Sequence, residues 1–361
     1  MLHGIRIIEI EGLGPGPFAA MMLADLGAEV IVIHRPGPAP DITGDRSLLD
    51  RGKRSITLDL KDRGDLARAR ALIARADGLI EGFRPGVMER LGLGPETCHA
   101  DNPKLVYGRM TGWGQDGPRA QTAGHDYNYI ATSGAFWYTS LPGTPPLAPA
   151  TLVGDIGGGA LYLVAGMLAG LLNAARTGKG TVVDAAIVDG SAHMMALLMA
   201  MQPSGNLSMT RGQSLLDGPH WSRCYACADG RHLSVQCLEP KFYAIFLDLM
   251  GLTGDPGFAD QFDRARWPAQ TERLARIFAA EPASHWEALF AGSDACVARV
   301  LSPDEAAAEP HMAARATWQH VDGALQPAPA PRFDGRQANI AGAPRRGQHT
   351  DEILAELTRE G

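Results

Sequence analysis

The chain is short of three things. Cysteine is scarce: five in 361 residues (Cys98, Cys224, Cys227, Cys237 and Cys296), odd in number and scattered. That excludes a disulfide framework and fits reduced thiols in a cytoplasmic protein. Cys224 and Cys227 have metal or redox spacing, but no second pair follows, so they read as a coincidence within a strand and no metal is expected. Positive charge is short as well. With 33 Lys and Arg against 40 Asp and Glu, the net charge is −7, which argues against a nucleic-acid partner. Long apolar runs are nearly missing. The first ten residues carry charges and lack the apolar core of a cleavable signal peptide. The longest uncharged run, Ile156–Asn173, approaches membrane-spanning length but holds five glycines, so a buried helix is expected and no membrane partner.

Glycine is abundant instead: 43 residues, with 25 prolines beside them. That is about 12% glycine against a usual value near 7%. Without a collagen period, it signals tight turns or close approach of backbone to a ligand. A hydrophobic content of 45% with 20% charged residues excludes global disorder. The length predicts two domains.

Strand and helix alternate through the first half. Ile5–Glu11 is a β-branched run ending in a glycine-proline turn, Gly12–Pro17, followed by helical spacing over Phe18–Leu26. Glu29–Ile33, Ser55–Leu60, Gly78–Gly82 and Lys104–Arg109 read as further strands, with a helix over Leu66–Ala76. This alternation predicts an α/β fold: a mostly parallel, Rossmann-like sheet covered by helices on both faces. A glycine-rich stretch (Thr111–Pro118) precedes a helix starting near His125. Asp155–Arg176 reads as a long helix, Thr181–Ile187 as a strand and Asp189–Met201 as a methionine-rich helix. Pro203–His220 looks like a linker into a smaller α+β unit, with a hairpin around Asp229-Gly230. Residues 1–202, completed by 331–361, are therefore expected to form a large domain, and 203–330 the linker and small domain. No internal repeat is present.

Several residues invite a chemical reading. The Gly12–Pro17 turn resembles a dinucleotide fingerprint, but its third glycine is misplaced and two prolines remove backbone donors. Arg35 follows the second strand and suits a phosphorylated ribose, the 2′-phosphate of NADP or the 3′-phosphate of coenzyme A. Arg51, Lys53, Arg54, Lys61, Arg84 and Arg90 fall at strand ends, where a doubly wound sheet forms its ligand crevice. Taken singly, His125 reads as a packed or capping residue, Asp155 as a helix N-cap and Glu239 as a first-turn acid. The methionines at 194, 195, 199 and 201 suit a core, or a surface that adapts to varied apolar groups.

Longer segments carry a resemblance. Gly4–Pro17 (GIRIIEIEGLGPGP), Ala24–Ile31 (ADLGAEVI), Arg51–Ser55 (RGKRS), Asp59–Lys61, Phe83–Val87 (FRPGV), Arg109–Gln115 (RMTGWGQ), Val183–Gly190 (VDAAIVDG) and Gly347–Leu354 (GQHTDEIL) match in order along nearly the whole chain. Together they resemble the family III coenzyme A transferase and racemase superfamily. Gly124–Tyr129 (GHDYNY), Gly154–Gly159 (GDIGGG) and Leu238–Pro240 (LEP) resemble its racemase branch, which acts on 2-methylacyl-CoA thioesters.

The resemblance implies an isomerase of lipid metabolism that racemises or epimerises these thioesters by 1,1-proton transfer through an enolate. It assigns His125 and Asp155 as the two acid/bases and Glu239 as the partner of His125. Asp126 contributes its backbone N–H to the enolate oxygen. Coenzyme A contacts carry over to Arg35, Leu58, Asp59, Leu60, Lys61, Gly82, Phe83, Arg84, Arg90, Gly124, Tyr127, Asn128 and Tyr129. Acyl-CoA is then substrate rather than cofactor, and no cofactor is implied. An interlocked homodimer is implied, with each site between the large domain of one chain and the small domain of the other. Two alternatives remain at this point: a family III CoA transferase with Asp155 as nucleophile, and an NADP-dependent oxidoreductase built on the Gly12 turn.

Overall fold

A computed structural model describes residues 1–39 and 44–359. The chain divides into two compact units. The first takes 1–136, 149–195 and 311–361, and the second 137–148 and 196–310. The second unit thus differs at both edges from the expected 203–330: the chain passes over after Met195 and returns at His311. The returning chain carries the hairpin of Trp318–Val321 and Ala324–Pro327, whose last carbonyl, Pro327 O, accepts a bond from Arg51 of the first unit at 2.8 Å.

The first unit is built on six parallel strands: β1 (Arg6–Ile10), β2 (Glu29–His34), β3 (Arg54–Thr57), β4 (Gly78–Glu81), β5 (Val106–Thr111) and β6 (Thr181–Ala186). Their order is β3-β2-β1-β4-β5-β6, the doubly wound arrangement. β1 lies at the centre, with Ile8 opposite Ile31 of β2 and Leu79 of β4. Alternation along it decides the two faces. Ile8 and Ile10 point into one core with Ile31, Ile33, Ile56 and Leu72. Ile7 points into the other with Ala19, Leu23, Val106 and Leu163.

Helices α1 (Pro15–Asp25), α2 (Arg63–Ala74), α3 (Val87–Arg90) and α4 (Pro95–Asp101) connect the early strands, and α5 (Asp126–Ser133) follows β5. The long helix does not start at Asp155 as expected. It starts at Leu152, and Leu152–Ala160 is wound as a π-helix before the α-helix α6 (Leu161–Thr177). Only one face of α6 is buried, through Leu163, Val164 and Met167, whereas Leu161 and Leu172 are exposed. α7 (Ile187–Met194) completes this side.

The second unit holds α8 (Ala196–Met199), an antiparallel sheet of β7 (Ser222–Ala226), β8 (His232–Gln236) and β9 (Val297–Arg299), and helices α9 (Pro240–Leu249), α10 (Trp267–Phe278), α11 (Ala283–Phe290) and α12 (Pro303–Ala308). Its core is aromatic, with Trp221, Tyr225, Phe246, Phe278 and Trp286. Residues 203–220, expected as a linker, are tied down from within this unit: Asp217 accepts from the N–H groups of Gly212 and Ser214, each at 2.7 Å. Back in the first unit, α13 (Pro310–Ala314), straddling the boundary, is followed by β10 (Trp318–Val321), β11 (Ala324–Pro327) and α14 (Thr350–Arg359). Ile353 of α14 seals the core above α2 and β3.

Three of the cations expected around the crevice are used elsewhere. Arg51 pairs with Asp25 at 2.5 Å, and Arg54 binds Glu29 and Glu356, both at 2.7 Å. Lys53 is fully buried, 2.5 Å from Glu9, whose carboxyl burial pushes up to about 7 against the pull of that lysine. Each side chain reaches an acid distant in sequence, which no local spacing announces.

Candidate active site

The candidate catalytic residues of the first unit converge at the start of α5 and in the π-helix. His125 is the N-cap of α5, with extended backbone, and its N–H donates to the Asn128 side chain at 3.0 Å. The Asn128 Oδ1 is thus engaged in closing the cap. Asp126 opens the helix, so its backbone N–H is one of the four without an intrahelical partner. Its side chain is buried and holds the neighbouring segment. Oδ2 accepts from Thr151 N–H at 3.0 Å, and Oδ1 from Asp155 N–H at 2.9 Å.

Asp155 is consequently not the N-cap expected of it; it lies inside the π-helix. The winding is wide there because Ile156 N–H reaches back five residues to Thr151 O at 2.9 Å, and Thr151 itself adopts φ 63. Such strain and π geometry concentrate at functional positions. Gly154 makes the arrangement possible: a Cβ there would stand 2.2 Å from Asp126 Oδ1. Gly14, at φ +69 in the turn after β1, faces the carboxylate itself, since a Cβ on it would lie 3.7 Å from Asp155 Oδ2.

Burial pushes the Asp155 carboxyl up to about 6, helped by repulsion from Asp126 and opposed by attraction to His125. A rise of this kind keeps a carboxylate basic enough to take a proton from carbon. It also carries a stability sign. Because the folded value exceeds the unfolded one, the folded chain holds the proton more tightly between the two values. The benefit is complete below the unfolded value near 4 and is lost as pH rises through about 6.

Glu239 belongs to the second unit, where it is the N-cap of α9 and its carbonyl accepts from Phe242 and Tyr243 N–H, both at 3.0 Å. Tyr129 is buried, its hydroxyl bonded to Gly124 O and its ring meeting Trp113 edge-on at 4.9 Å. Tyr127 is partly exposed against Phe136.

The expected nucleotide residues gather separately, at the carboxyl ends of β1 to β4. A cleft of about 450 Å³ is lined by Glu11, Gly12, Leu13, Arg35, Leu58, Asp59, Leu60, Lys61, Phe83 and Val87, among others. This is the switch point of the sheet, where a doubly wound fold takes its ligand. Gly82, Arg84 and Arg90 lie beyond β4 just outside this lining, and both arginines are exposed. Sequence reasoning missed two residues of this cleft region, Glu11 and Arg346, which meet in an ion pair.

The sequence pattern of CoA-transferase family III matches residues 2–350, and the chain belongs to that family. The alpha-methylacyl-CoA racemase of Mus musculus is 41% identical over 362 residues, 99% of this chain and 93% of that protein. The human alpha-methylacyl-CoA racemase is 40% identical over 361 residues, with the same coverage. Among solved structures, a CaiB/BaiF family protein from Brucella suis superposes with a TM-score of 0.82 at 28% identity, over 98% of each chain.

Proposed function

We propose that the chain racemises 2-methylacyl-CoA thioesters by 1,1-proton transfer, with His125 and Asp155 as the two acid/bases. The observation that carries this reading is the Asp155 carboxyl, raised to about 6 and fixed by its N–H to Asp126, next to the exposed histidine that caps α5. Inversion at a carbon α to a thioester needs one base on each face, each acting as acid in one direction. The enolate oxygen falls to the Asp126 N–H at the positive end of α5. Racemases about 40% identical over almost the full chain favour this reading.

Coenzyme A is assigned to the cleft beyond β1–β4, with Arg35 at the ribose phosphate and the bound thioester running toward α5. Gly124–Tyr129 then contribute mainly backbone and shape, because the Tyr129 hydroxyl and the Asn128 Oδ1 are engaged within the protein. The reaction moves only protons, so no metal or redox cofactor enters the proposal. A homodimer and a cytoplasmic location complete it, with Glu239 as the partner of His125.

The test is solvent exchange. In D2O, the chain is expected to place deuterium at Cα of a single-enantiomer 2-methylacyl-CoA with no acceptor acid present. A folded chain that exchanges none of several such substrates, yet forms a hydroxylamine-trappable Asp155 acyl adduct when a carboxylate is supplied, is a transferase instead.

The pH dependence follows from the same carboxyl. Where Asp155 acts as base it must be ionised, so kcat/KM is expected to rise with pH through a limb near 6. Asp126→Asn removes the repelling charge, and the limb should move to lower pH. A limb that stays in place, or moves upward, excludes Asp126 as a cause of the raised value.

A further inference from the structure

Glu11 puts a negative charge where the proposed function needs to receive one. It follows β1 directly and lines the same cleft as Arg35 and Lys61. A bare carboxylate at that place repels an incoming polyanion. The C-terminal segment answers this charge. Arg346 sets Nη1 against Glu11 Oε1, while its Nη2 donates to Glu11 Oε2 at 3.3 Å and to the carbonyl of Arg35 at 2.9 Å. The Arg35 N–H closes the ring by donating to Glu11 Oε2 at 2.9 Å.

The two arginines therefore divide their tasks. The side chains of Arg346 and Glu11 are 12% and 15% exposed, whereas that of Arg35 is 70% exposed and stands 4.0 Å from Glu11. Burial pushes the Glu11 carboxyl up, but the Arg346 fork and the Arg35 N–H outweigh it and hold the group below its ordinary value. Glu11 is thus ionised and already satisfied. Without Arg346, Arg35 is the nearest cation able to fold down onto it.

We propose that Arg346 is a positioning residue for substrate recognition: by neutralising Glu11 and pinning the Arg35 backbone, it leaves the Arg35 guanidinium free for the 3′-phosphate of coenzyme A. This rests on the assignment of Arg35 to that phosphate, and the experiment separates the two ideas. Binding of CoA and of 3′-dephospho-CoA to the full chain is measured by calorimetry, alongside KM, kcat and thermal melting. The wild type is expected to prefer CoA, and Arg35→Ala to lose the preference. Arg346→Gln is expected to reduce the preference about tenfold, raising KM with kcat unchanged. Adding Glu11→Gln to Arg346→Gln should restore most of it, since no carboxylate is left to capture Arg35.

Each other result overturns something definite. If Arg346 touches the phosphate itself, the double variant stays as weak as Arg346→Gln, and the positioning role is wrong. If Arg346 is only a structural tie, melting falls while the preference stays at the wild-type ratio, and the proposal fails. Loss of preference in Arg35→Ala but not in Arg346→Gln sinks the proposal alone. Retention in Arg35→Ala sinks the assignment of Arg35 and the proposal with it. Should Arg346→Gln fail to fold, Glu11→Gln alone decides: it frees a second cation, so a weakened preference for CoA contradicts the proposal.

Discussion

His125→Ala is expected to lower deuterium exchange at Cα by about 10³-fold or more, the usual contribution of a positioned acid/base. His125 is held where it is by the cap of α5, its N–H on Asn128 Oδ1, so the substitution removes the ring's share of the capping box but keeps this backbone bond. Folding should therefore survive, and near-UV circular dichroism checks that it does. The size of the loss also divides the two chemistries open to this family. A racemase needs a proton source on each face of the enolate; a transferase that works through an Asp155 adduct needs none at His125 and keeps much of its rate. Exchange within a few-fold of wild type removes His125 from the mechanism.

Gly154→Ala is expected to cost about 100-fold in kcat, although the residue carries no chemistry, because small displacements of a reacting group weigh heavily on rate. A Cβ at 154 would lie 2.2 Å from Asp126 Oδ1 and 2.8 Å from Ile130 Cγ2. Asp126 has to leave, and with it go the bonds to the N–H groups of Thr151 and Asp155. Both N–H groups, part-buried in these bonds, lose their acceptor, so the melting temperature should fall too. The acid limb of the pH profile should drop along with the rate, since the Asp126 charge that adds to burial in raising Asp155 has moved away. A variant with wild-type rate and limb shows that Asp155 does not depend on the Asp126 clamp for its position.

The sheet was legible in the sequence wherever a strand is buried on both faces. Ile5–Glu11 and Glu29–Ile33 are runs of β-branched residues because β1 and β2 face a core on each side, and they are observed within a residue or two of those limits. The switch-point cleft followed from the fold, and Arg35 and Leu58–Lys61 line it. The site was less legible for a physical reason: its geometry comes from contacts between distant residues. Asp126 reaches 29 positions to Asp155, and Arg346 reaches 335 to Glu11. The π winding has no compositional signature of its own, so Asp155 looked like the start of an ordinary helix. The glycine surplus was visible, and the turns expected of it are present, with 22 described glycines at positive φ. What the sequence did not show is that some serve internal packing: Gly112 and Gly124 admit the Tyr129 ring and Gly154 admits Asp126.

The division of the first unit has a consequence for biosynthesis. The second unit takes 196–310, so those residues leave the ribosome before 311–359, which the first unit still lacks. Until α14 arrives, the face of β3 and α2 that Ile353 covers stays open, and Arg54 waits without Glu352 and Glu356. Arg346 arrives in the same late stretch. The nascent chain therefore carries an uncovered apolar face through the synthesis of an entire second unit. Demand for chaperones should concentrate in that interval, and the Glu11–Arg346 pair beside the cleft forms only when it ends.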